Sequence, residues 1–313
     1  MMNLRYAPLL GTCLVILSLL SGCIKGDSTP ACGSQGIDVY FYSRSLCESD
    51  TVYPQEIQDI LLALFDKENK LVNYTRNTLS ELHSEYFQQM EVGSGLYTVI
   101  AWSGIDGSDV TIEELHNGTT DKNDLLFRIQ REAERAYDLS GDKIFYGESD
   151  AFYIEENQTA DPLFEKVYVN MLEVTNRITI SVEGLAQPDL YQILIESNAG
   201  SMNIDGTLAS DDTLQYIPND SEETDPPEAT FTLLKLSTGY ENTIVIRDTT
   251  SGTEIYRGSL LGALILKNPE VNLACDHDFT IRFTAEDPCD CGTYVITEIH
   301  VNEWLVHSYE TEM

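Results

Sequence analysis

Short β-type segments, each followed by turn residues, fill the second half of the chain and favour an antiparallel β architecture there. Segments of this length and spacing, rich in β-branched and aromatic residues, are typical of β-sandwiches. They cover residues 165–174, 177–183, 190–196, 229–236, 242–248, 253–257, 260–266, 278–284 and 293–306. We therefore expect a sandwich in this half of the protein.

The first half of the chain also carries clear strand patterns. Apolar and polar residues alternate over residues 37–42. Residues 57–65 and 71–74 flank a turn, which predicts a β-hairpin. Residues 95–102 read as a buried strand because β-branched and aromatic side chains follow one another there. Shorter strands are expected at 144–147 and 152–154.

One helical pattern interrupts these strands. Apolar residues recur at helical spacing over residues 124–137, which predicts a helix, whereas residues 78–90 fit a short helix or a strand equally well. A chain of 313 residues can bury two cores. The expected fold is mainly β, with two antiparallel β-sandwich domains at 36–165 and 166–313. One or two short helices are expected in the first.

The first residues, 1–22, are typical of a bacterial lipoprotein signal peptide. The apolar run 9–20 ends in Leu-Ser-Gly-Cys, which resembles a lipobox. The run is too short for a bilayer span, which takes roughly 20 apolar residues. We expect a lipid on Cys23 and a tether over 23–35, rich in Gly, Ser, Asp and Pro. An ordinary secretory signal or a short membrane anchor is the alternative.

The charge balance excludes some partners. The chain has 52 acidic and 18 basic residues and a formal net charge of −34. Such a surface repels nucleic-acid phosphates and anionic lipid headgroups, so we expect no nucleic-acid partner. Because no second long apolar run follows the signal peptide, we expect the lipid on Cys23 alone to hold the protein to a membrane. The acidity also suits a solvated surface outside the cell.

The cysteines suggest disulfides. Of seven, Cys13 leaves with the signal peptide and Cys23 takes the lipid. An exported compartment permits disulfides, and an odd number of remaining cysteines leaves at least one unpaired. The remaining residues are Cys32, Cys47, Cys275, Cys289 and Cys291. Cys32 and Cys47 are the expected local bridge, and the pairing of the last three is left open by the sequence.

The sequence lacks the motifs of catalysis and cofactor binding. It has no His-Glu-x-x-His metal motif, no Gly-x-Ser-x-Gly elbow and no phosphate-binding loop. We therefore expect no enzyme activity and no cofactor. Cys275 and His277, with Cys289 and Cys291, could hold zinc, but the Cys-x-x-Cys spacing is missing. A disulfide or a free thiol is the better interpretation in an exported protein.

Taken in order, several segments resemble the FimB/Mfa2 family of fimbrial anchor subunits of the Bacteroidales. The matching pieces are the lipobox and residues 60–66, 95–102, 144–147, 167–184 and 299–304. The resemblance spans nearly all of the chain after the signal peptide. It implies two transthyretin-like β-sandwich domains. It also implies a place at the base of a surface fimbria, lipid-anchored in the outer membrane and facing outward.

The resemblance also implies a mode of assembly. Shaft subunits of such fimbriae lose an N-terminal strand to an Arg-specific protease, and the groove left behind accepts a strand from the next subunit. An anchor subunit would keep its first strand and so end polymer growth while holding a shaft subunit. The expected retained strand places Ile37, Val39 and Phe41 on one face. Cleavage at Arg44, just beyond it, would release the tether.

The last strand pattern is a second candidate for contact with the shaft subunit. Val295, Ile299 and Val301 share one face with Thr297 if residues 293–306 form one regular strand. A donated strand and an ordinary sandwich edge would show the same pattern, so both readings stay open.

A surface glycan-binding lipoprotein with the same β architecture is the alternative function. A row of exposed aromatic side chains on one sandwich face would favour it. Trp102 ends a buried strand pattern and is expected in the core, and Trp304 in the core or at a sheet edge.

Overall fold

The computed structural model describes residues 33–107, 109–137, 139–218, 227–265 and 270–308. This part of the chain is built almost entirely of β-strands, which confirms the expected mainly β fold. The strands up to residue 173 are β1 (Gln35–Tyr42), β2 (Asp59–Asp66), β3 (Leu71–Thr78), β4 (Phe87–Glu91), β5 (Gly95–Ser103), β6 (Val110–Ile112), β7 (Leu126–Ile129), β8 (Arg131–Glu132), β9 (Arg135–Ala136), β10 (Phe145–Glu148), β11 (Phe152–Ile154), β12 (Leu163–Asn170) and β13 (Leu172–Glu173).

Eleven further strands and three short helices complete the described chain. The strands are β14 (Thr175–Glu183), β15 (Tyr191–Ser197), β16 (Ser201–Asn203), β17 (Leu208–Ala209), β18 (Leu214–Tyr216), β19 (Glu228–Leu234), β20 (Asn242–Asp248), β21 (Glu254–Ser259), β22 (Asp278–Glu286), β23 (Val295–Val301) and β24 (Trp304–Ser308). Lys122–Asp124 and Pro188–Leu190 are 3-10 helices, and α1 covers Leu260–Ile265. Among the described residues, none of these helices has the length and apolar character to cross a membrane.

Two sheets of the first half enclose a hydrophobic core. A three-stranded sheet in the order β12-β1-β4 lies against a sheet in the order β13-β10-β5-β2-β3, in which β11 also pairs with β5. Strand β2 is covered on both faces. Ile60, Leu62 and Leu64 enter this core, whereas its alternate residues enter a second core beyond the sheet. Burial of both faces explains why the β2 sequence is continuously apolar.

The second core lies among three further sheets. One runs β19-β14-β22-β23-β24, one runs β21-β20-β15-β18-β9-β8, and a small one runs β17-β16-β7-β6. The side chains Ile178, Ile180 and Val182 of β14 point into this core together with Phe279, Ile281 and Phe283 of β22. Period-two alternation in both strands therefore builds the centre of the second sandwich.

The predicted hairpin over residues 57–74 is confirmed. Strands β2 and β3 pair antiparallel from Asp59↔Thr78 to Phe65↔Leu71. The Asp66 carboxylate closes the turn by accepting hydrogen bonds from the backbone N–H groups of Glu68 and Lys70, at 2.8 and 2.9 Å. Asn69 occupies the left-handed region at φ 61°, which Asn tolerates better than most residues. Turn chemistry of this kind is local and readable from sequence.

The predicted helix at 124–137 is wrong. This segment forms β7, β8 and β9, and the helical element of this region is the 3-10 turn Lys122–Asp124 just before it. Leu125, Phe127 and Ile129 are the buried positions, so the period is two rather than 3.6. β7 pairs with β6 and with β16 of the second half, contacts that stabilise the strand and that no local pattern encodes. Of the two readings for 78–90, the strand holds only for the last four residues, which belong to β4, and residues 79–86 form loop and turn.

Two later strand predictions also need correction. Within the predicted strand 260–266, residues Leu260–Ile265 form the α-helix α1 instead, with Leu260 and Leu264 buried. The predicted strand 293–306 is two strands, because Asn302 and Glu303 form a two-residue turn with positive φ at both positions. A two-residue loop with φ above zero at both positions is the favoured hairpin connection.

The two sandwiches are not separated at one point of the chain. β12 and β13 belong to the first pair of sheets, so the expected boundary at residues 165 and 166 falls inside β12, and β14 is the first strand of the second. The excursion β6–β9 returns to the second half. Trp102 is buried in the core, as predicted. It connects the two halves of the chain, because its Nε1–H donates to the Ile204 carbonyl at 3.0 Å and its ring stacks on Phe127.

Candidate fibre-base interface

Strand β1 is the expected retained strand, and it lies in the middle of its sheet. It pairs in parallel with β12 over eight residues and antiparallel with β4 over five. Ile37, Val39 and Phe41 are buried in the first core, as their alternation predicted. They are core residues rather than exposed contact residues. Both hydrogen-bonding edges and the apolar face of β1 are therefore used within this chain.

The start of β1, where the tether would arrive, is held by a buried asparagine. The Asn157 side-chain amide donates to the carbonyls of Gly33 and Asp161, at 3.1 and 2.8 Å. Its backbone N–H donates to the Gln35 side chain. Gly33 also donates from its N–H to the Thr159 carbonyl at 2.8 Å. A buried amide with its partners satisfied fixes the entry of β1 into the sheet.

The end of β1 is held by a second asparagine. The Arg44 backbone N–H donates to Asn170 Oδ1 at 2.8 Å, and Asn170 Nδ2 donates to the Arg44 carbonyl at 3.0 Å. Ser43 and Val52 exchange two further backbone hydrogen bonds. The Arg44 side chain is exposed, but its backbone N–H and C=O both bond the Asn170 side chain. Sequence reasoning singled out Arg44 and missed Asn157 and Asn170, because both act across more than 100 residues.

A disulfide ties the loop after β1 to the second sandwich. Cys47 is bonded to Cys275, 228 residues further along the chain. The expected Cys32–Cys47 bridge is therefore wrong, and Cys32 lies outside the described residues, as does the lipidation site Cys23. Closing a loop of this length removes about 5 kcal/mol of unfolded-state entropy in the chain-entropy model. Proximity in sequence misled the prediction, because the fold brings distant loops together.

The second disulfide joins Cys289 to Cys291 in the turn between β22 and β23. Asp287 lies beside them, and its carboxylate accepts hydrogen bonds from the N–H groups of Cys291 and Gly292. The sulfur atoms and the carboxylate lie within 4.8 Å of one another, but sulfurs joined in a disulfide are not thiolate ligands. The structure also separates Cys275 from this pair, so the four residues weighed for zinc do not form one site.

The prediction that Val295, Ile299 and Val301 share one face of the last strand is wrong at Val295. β23 lies between β22 and β24, and Ile299 and Val301 are buried in the second core. The register slips by one residue at Thr297, where the strand bulges. A bulge of one residue reverses the sides of all positions beyond it. Val295 is consequently exposed and Ile296 is buried, so Val295 does not share a face with Ile299 and Val301.

The outer strand of this sheet is β24 rather than β23. Trp304 and Leu305 are 48% and 50% exposed, whereas Val306 is buried. Next to Trp304 lies a polar cleft of about 470 Å³, which His277 and Arg177 also line. Trp304 is thus at the sheet edge, as one of its two expected placements had it.

The floor of this cleft is an ion-pair cluster. Arg177 Nε lies 2.5 Å from Asp278 Oδ1, and Arg177 Nη1 lies 2.5 Å from Glu173 Oε1. Hydrogen bonds from Arg177 lower the pKa of Asp278. His277 Nδ1 lies 2.9 Å from the Thr175 carbonyl. The cluster joins β13, β14 and β22, and thereby braces the junction of the two sandwiches beside Cys275.

The chain forms two packed sets of sheets, with its first described strand built into one of them, and known proteins are similar to it in sequence and fold. A family profile described as fimbrillin-A associated anchor proteins Mfa1 and Mfa2 matches residues 28–310. The minor fimbrium anchoring subunit Mfa2 of Porphyromonas gingivalis is 33% identical over 287 residues, 89% of this chain and 87% of the relative.

Solved structures agree with that match. The fimbrial anchor protein Mfa2 from Porphyromonas gingivalis, 33% identical, superimposes with a TM-score of 0.79 over 88% of this chain and 100% of that one. A Bacteroides thetaiotaomicron structure described as candidate polysaccharide-binding proteins is 20% identical and shares the fold, with a TM-score of 0.69 over 90% of this chain and 99% of that one.

Fold and strand arrangement define a β-sandwich protein. The family profile covers most of the chain, and the relative from Porphyromonas gingivalis is 33% identical to it. The chain belongs to the family of fimbrillin-A associated anchor proteins.

Proposed function

We propose that this protein is the lipid-anchored subunit at the base of a cell-surface fimbria, where it holds a shaft subunit and ends polymer growth. The observation that carries the proposal is the placement of β1 between β12 and β4, with its apolar face in the core. A subunit whose own strand fills the groove offers no place for the strand of another subunit at that position. Growth therefore ends there.

The anchoring of β1 at both ends supports its retention. Asn157 holds the side from which the tether comes, and Asn170 and the Cys47–Cys275 disulfide hold the other. Proteolysis requires a segment to leave its hydrogen bonds and extend into the protease. With the Arg44 N–H and C=O both bonded to Asn170, we expect slow cleavage after Arg44 and an intact path from the lipid to the fold.

For contact with the shaft subunit we propose the outer edge of β24. An edge strand presents backbone N–H and C=O groups that can pair with an added strand. Leu305 is half exposed and Val306 is buried, so alternate residues of β24 face opposite sides. Strand addition at β24 would join the shaft to the second sandwich, while β1 and the lipid hold the first sandwich at the membrane.

Replacing Cys23 by Ala tests the anchoring. We expect the variant protein in the soluble fraction and fimbriae in the culture medium, because the lipid is the membrane attachment. Membrane fractionation and electron microscopy of fimbriae measure both. Cell-bound fimbriae of normal length in the Cys23→Ala strain would refute the anchoring role.

Removal of residues 303–313 tests the contact at β24. This truncation spares β23, whose side chains Ile299 and Val301 belong to the second core. We expect the truncated protein to remain in the membrane fraction but to lose the shaft subunit in co-purification. Undiminished co-purification of the shaft subunit would remove β24 from the proposed contact. Thermal unfolding of the truncated protein provides the folding control.

A further inference from the structure

An aromatic row crosses the solvent-facing side of the three-stranded sheet. Phe87 of β4, Tyr40 of β1 and Tyr168 of β12 are register partners. The ring centroids of Tyr40 lie 5.4 Å from those of Phe87 and of Tyr168, with planes tilted by 31° and 25°. Phe87 and Tyr168 are 44% and 59% exposed. The three rings therefore form one continuous apolar strip across the sheet.

A polar row runs beside the aromatic row, one pleat away along the strands. It consists of Gln89, Asp38 and Lys166, again register partners. Gln89 Nε2 donates to Asp38 Oδ1 at 2.8 Å, and Lys166 Nζ lies 5.3 Å from the Tyr40 ring centroid. The face thus sets planar hydrogen-bonding groups and a cation next to the rings.

These rings lie outside the hydrophobic core. The core-facing side of β1 is supplied by Ile37, Val39 and Phe41, which are buried. The solvent face of a one-sided sheet is ordinarily polar. Cross-strand aromatic pairs stabilise a sheet, and the exposed area of Phe87 and Tyr168 in addition leaves apolar surface open to a ligand.

We infer that this face binds an uncharged glycan. A sugar ring has an apolar C–H face, which rests against an aromatic ring with its negative quadrupole, and a rim of hydroxyl groups. The aromatic row would contact the C–H face of the sugar, and the polar row would hydrogen-bond its hydroxyl groups. Orientation by a few placed polar groups beside an apolar surface is how small-ligand sites achieve specificity. This inference does not rest on the anchoring role.

Other occupants fit the face less well. A protein partner buries about 800 Å² on each side, with charged residues depleted at the centre. Here Asp38 and Lys166 lie directly beside the rings. The net charge of −34 opposes acidic polymers and anionic lipid surfaces. A neutral saccharide is not repelled by the net charge and does not need a large interface free of charged residues.

Affinity electrophoresis of the full-length lipidated protein in detergent tests the inference. Native gels contain mannan, dextran or a mixed-linkage β-glucan, with polygalacturonate as the acidic comparison. We expect retardation by at least one neutral polymer and none by polygalacturonate. Absence of retardation in all three neutral gels overturns the inference, as does equal retardation by polygalacturonate.

Variants locate the site. Phe87→Ala with Tyr168→Ala removes both exposed ends of the row, and we expect at least a tenfold loss of affinity for the retarding polymer. Tyr153→Ala is the matched control, because Tyr153 is 63% exposed on β11 of the other sheet. Near-ultraviolet circular dichroism checks that each variant folds. Unchanged retardation of the folded double variant, or an equal loss in Tyr153→Ala, contradicts the assignment.

Discussion

The first and last strands of the described chain differ in how much of each is used by the protein itself. β1 is paired on both edges, buries three apolar side chains and is fixed at both ends by asparagine side chains. β24 is the outer strand of its sheet and exposes Trp304 and Leu305. We therefore expect β1 to be retained and the outer edge of β24 to be available to a partner.

The largest expected difference between the two strands is in stability. Val39→Asp places an unpaired charge in the first core, where Val39 is fully buried, and we expect a loss of more than about 3 kcal/mol in free energy of unfolding. Leu305→Asp on β24 is the control, with an expected change within about 0.5 kcal/mol. Urea unfolding measures both. Similar losses in the two variants would erase the distinction between the strands.

The disulfide at the end of β1 gives the next effect. Replacing Cys47 and Cys275 by Ser should lower the free energy of unfolding by about 2–5 kcal/mol, because the bridge closes most of the chain into one loop. The Cys289→Ser and Cys291→Ser pair is the matched control. Its loop is minimal, so we expect a loss below about 2 kcal/mol. Calorimetry under non-reducing conditions compares them, and equal losses would contradict the loop-length argument.

A pH effect is expected where the excursion β6–β9 joins the second sandwich. Hydrogen bonds from Arg131 and Ser201 lower the pKa of Asp211 to about 2. The pKa is lower in the folded state, so the stabilisation is present above the unfolded value near 4. It is lost as pH falls through the folded value of about 2.

We therefore expect Asp211→Asn to cost about 2 kcal/mol at pH 7 and to matter little at pH 2. Unfolding curves of the wild-type and variant proteins over pH 2–7 measure this. A constant difference across that range would mean that the Arg131–Asp211 ion pair is not its source.

The smallest effect concerns the exit of β1. Asn170→Ala removes two hydrogen bonds to the Arg44 backbone, and we expect trypsin to cleave after Arg44 roughly tenfold faster. Mass spectrometry of timed digests measures the rate. Asn77→Ala on β3 is the control, because the Asn77 side chain donates to Thr75 Oγ1 within the same strand. An unchanged rate in Asn170→Ala would show that Asn170 does not protect the site.

The parts of the fold that depend on neighbouring residues could be predicted from the sequence. The alternation of Ile37, Val39 and Phe41 defines β1, and the Asp66 turn defines the β2–β3 hairpin. These features depend on neighbouring residues and on period-two patterning, which a single sequence displays directly.

The wrong predictions concern segments whose structure depends on contacts with residues far away in the sequence. The apolar residues of 124–137 also fit helical spacing, but pairing of β7 with β16 stabilises strand structure there instead. The bulge at Thr297 depends on the register against β22, so the exposure of Val295 could not be read from alternation. Cys47 finds its partner across the two sandwiches. Asn157 and Asn170 carried no sequence signal because asparagine is common in loops and turns.

The N-terminus of the protein purified from its native membrane tests the central claim most directly. Intact-mass analysis should give a chain that begins at an acylated Cys23 and still contains β1, because that strand is fixed in its own sheet. A mature chain that begins at Ser45, without β1 and without fatty acid, would contradict the account.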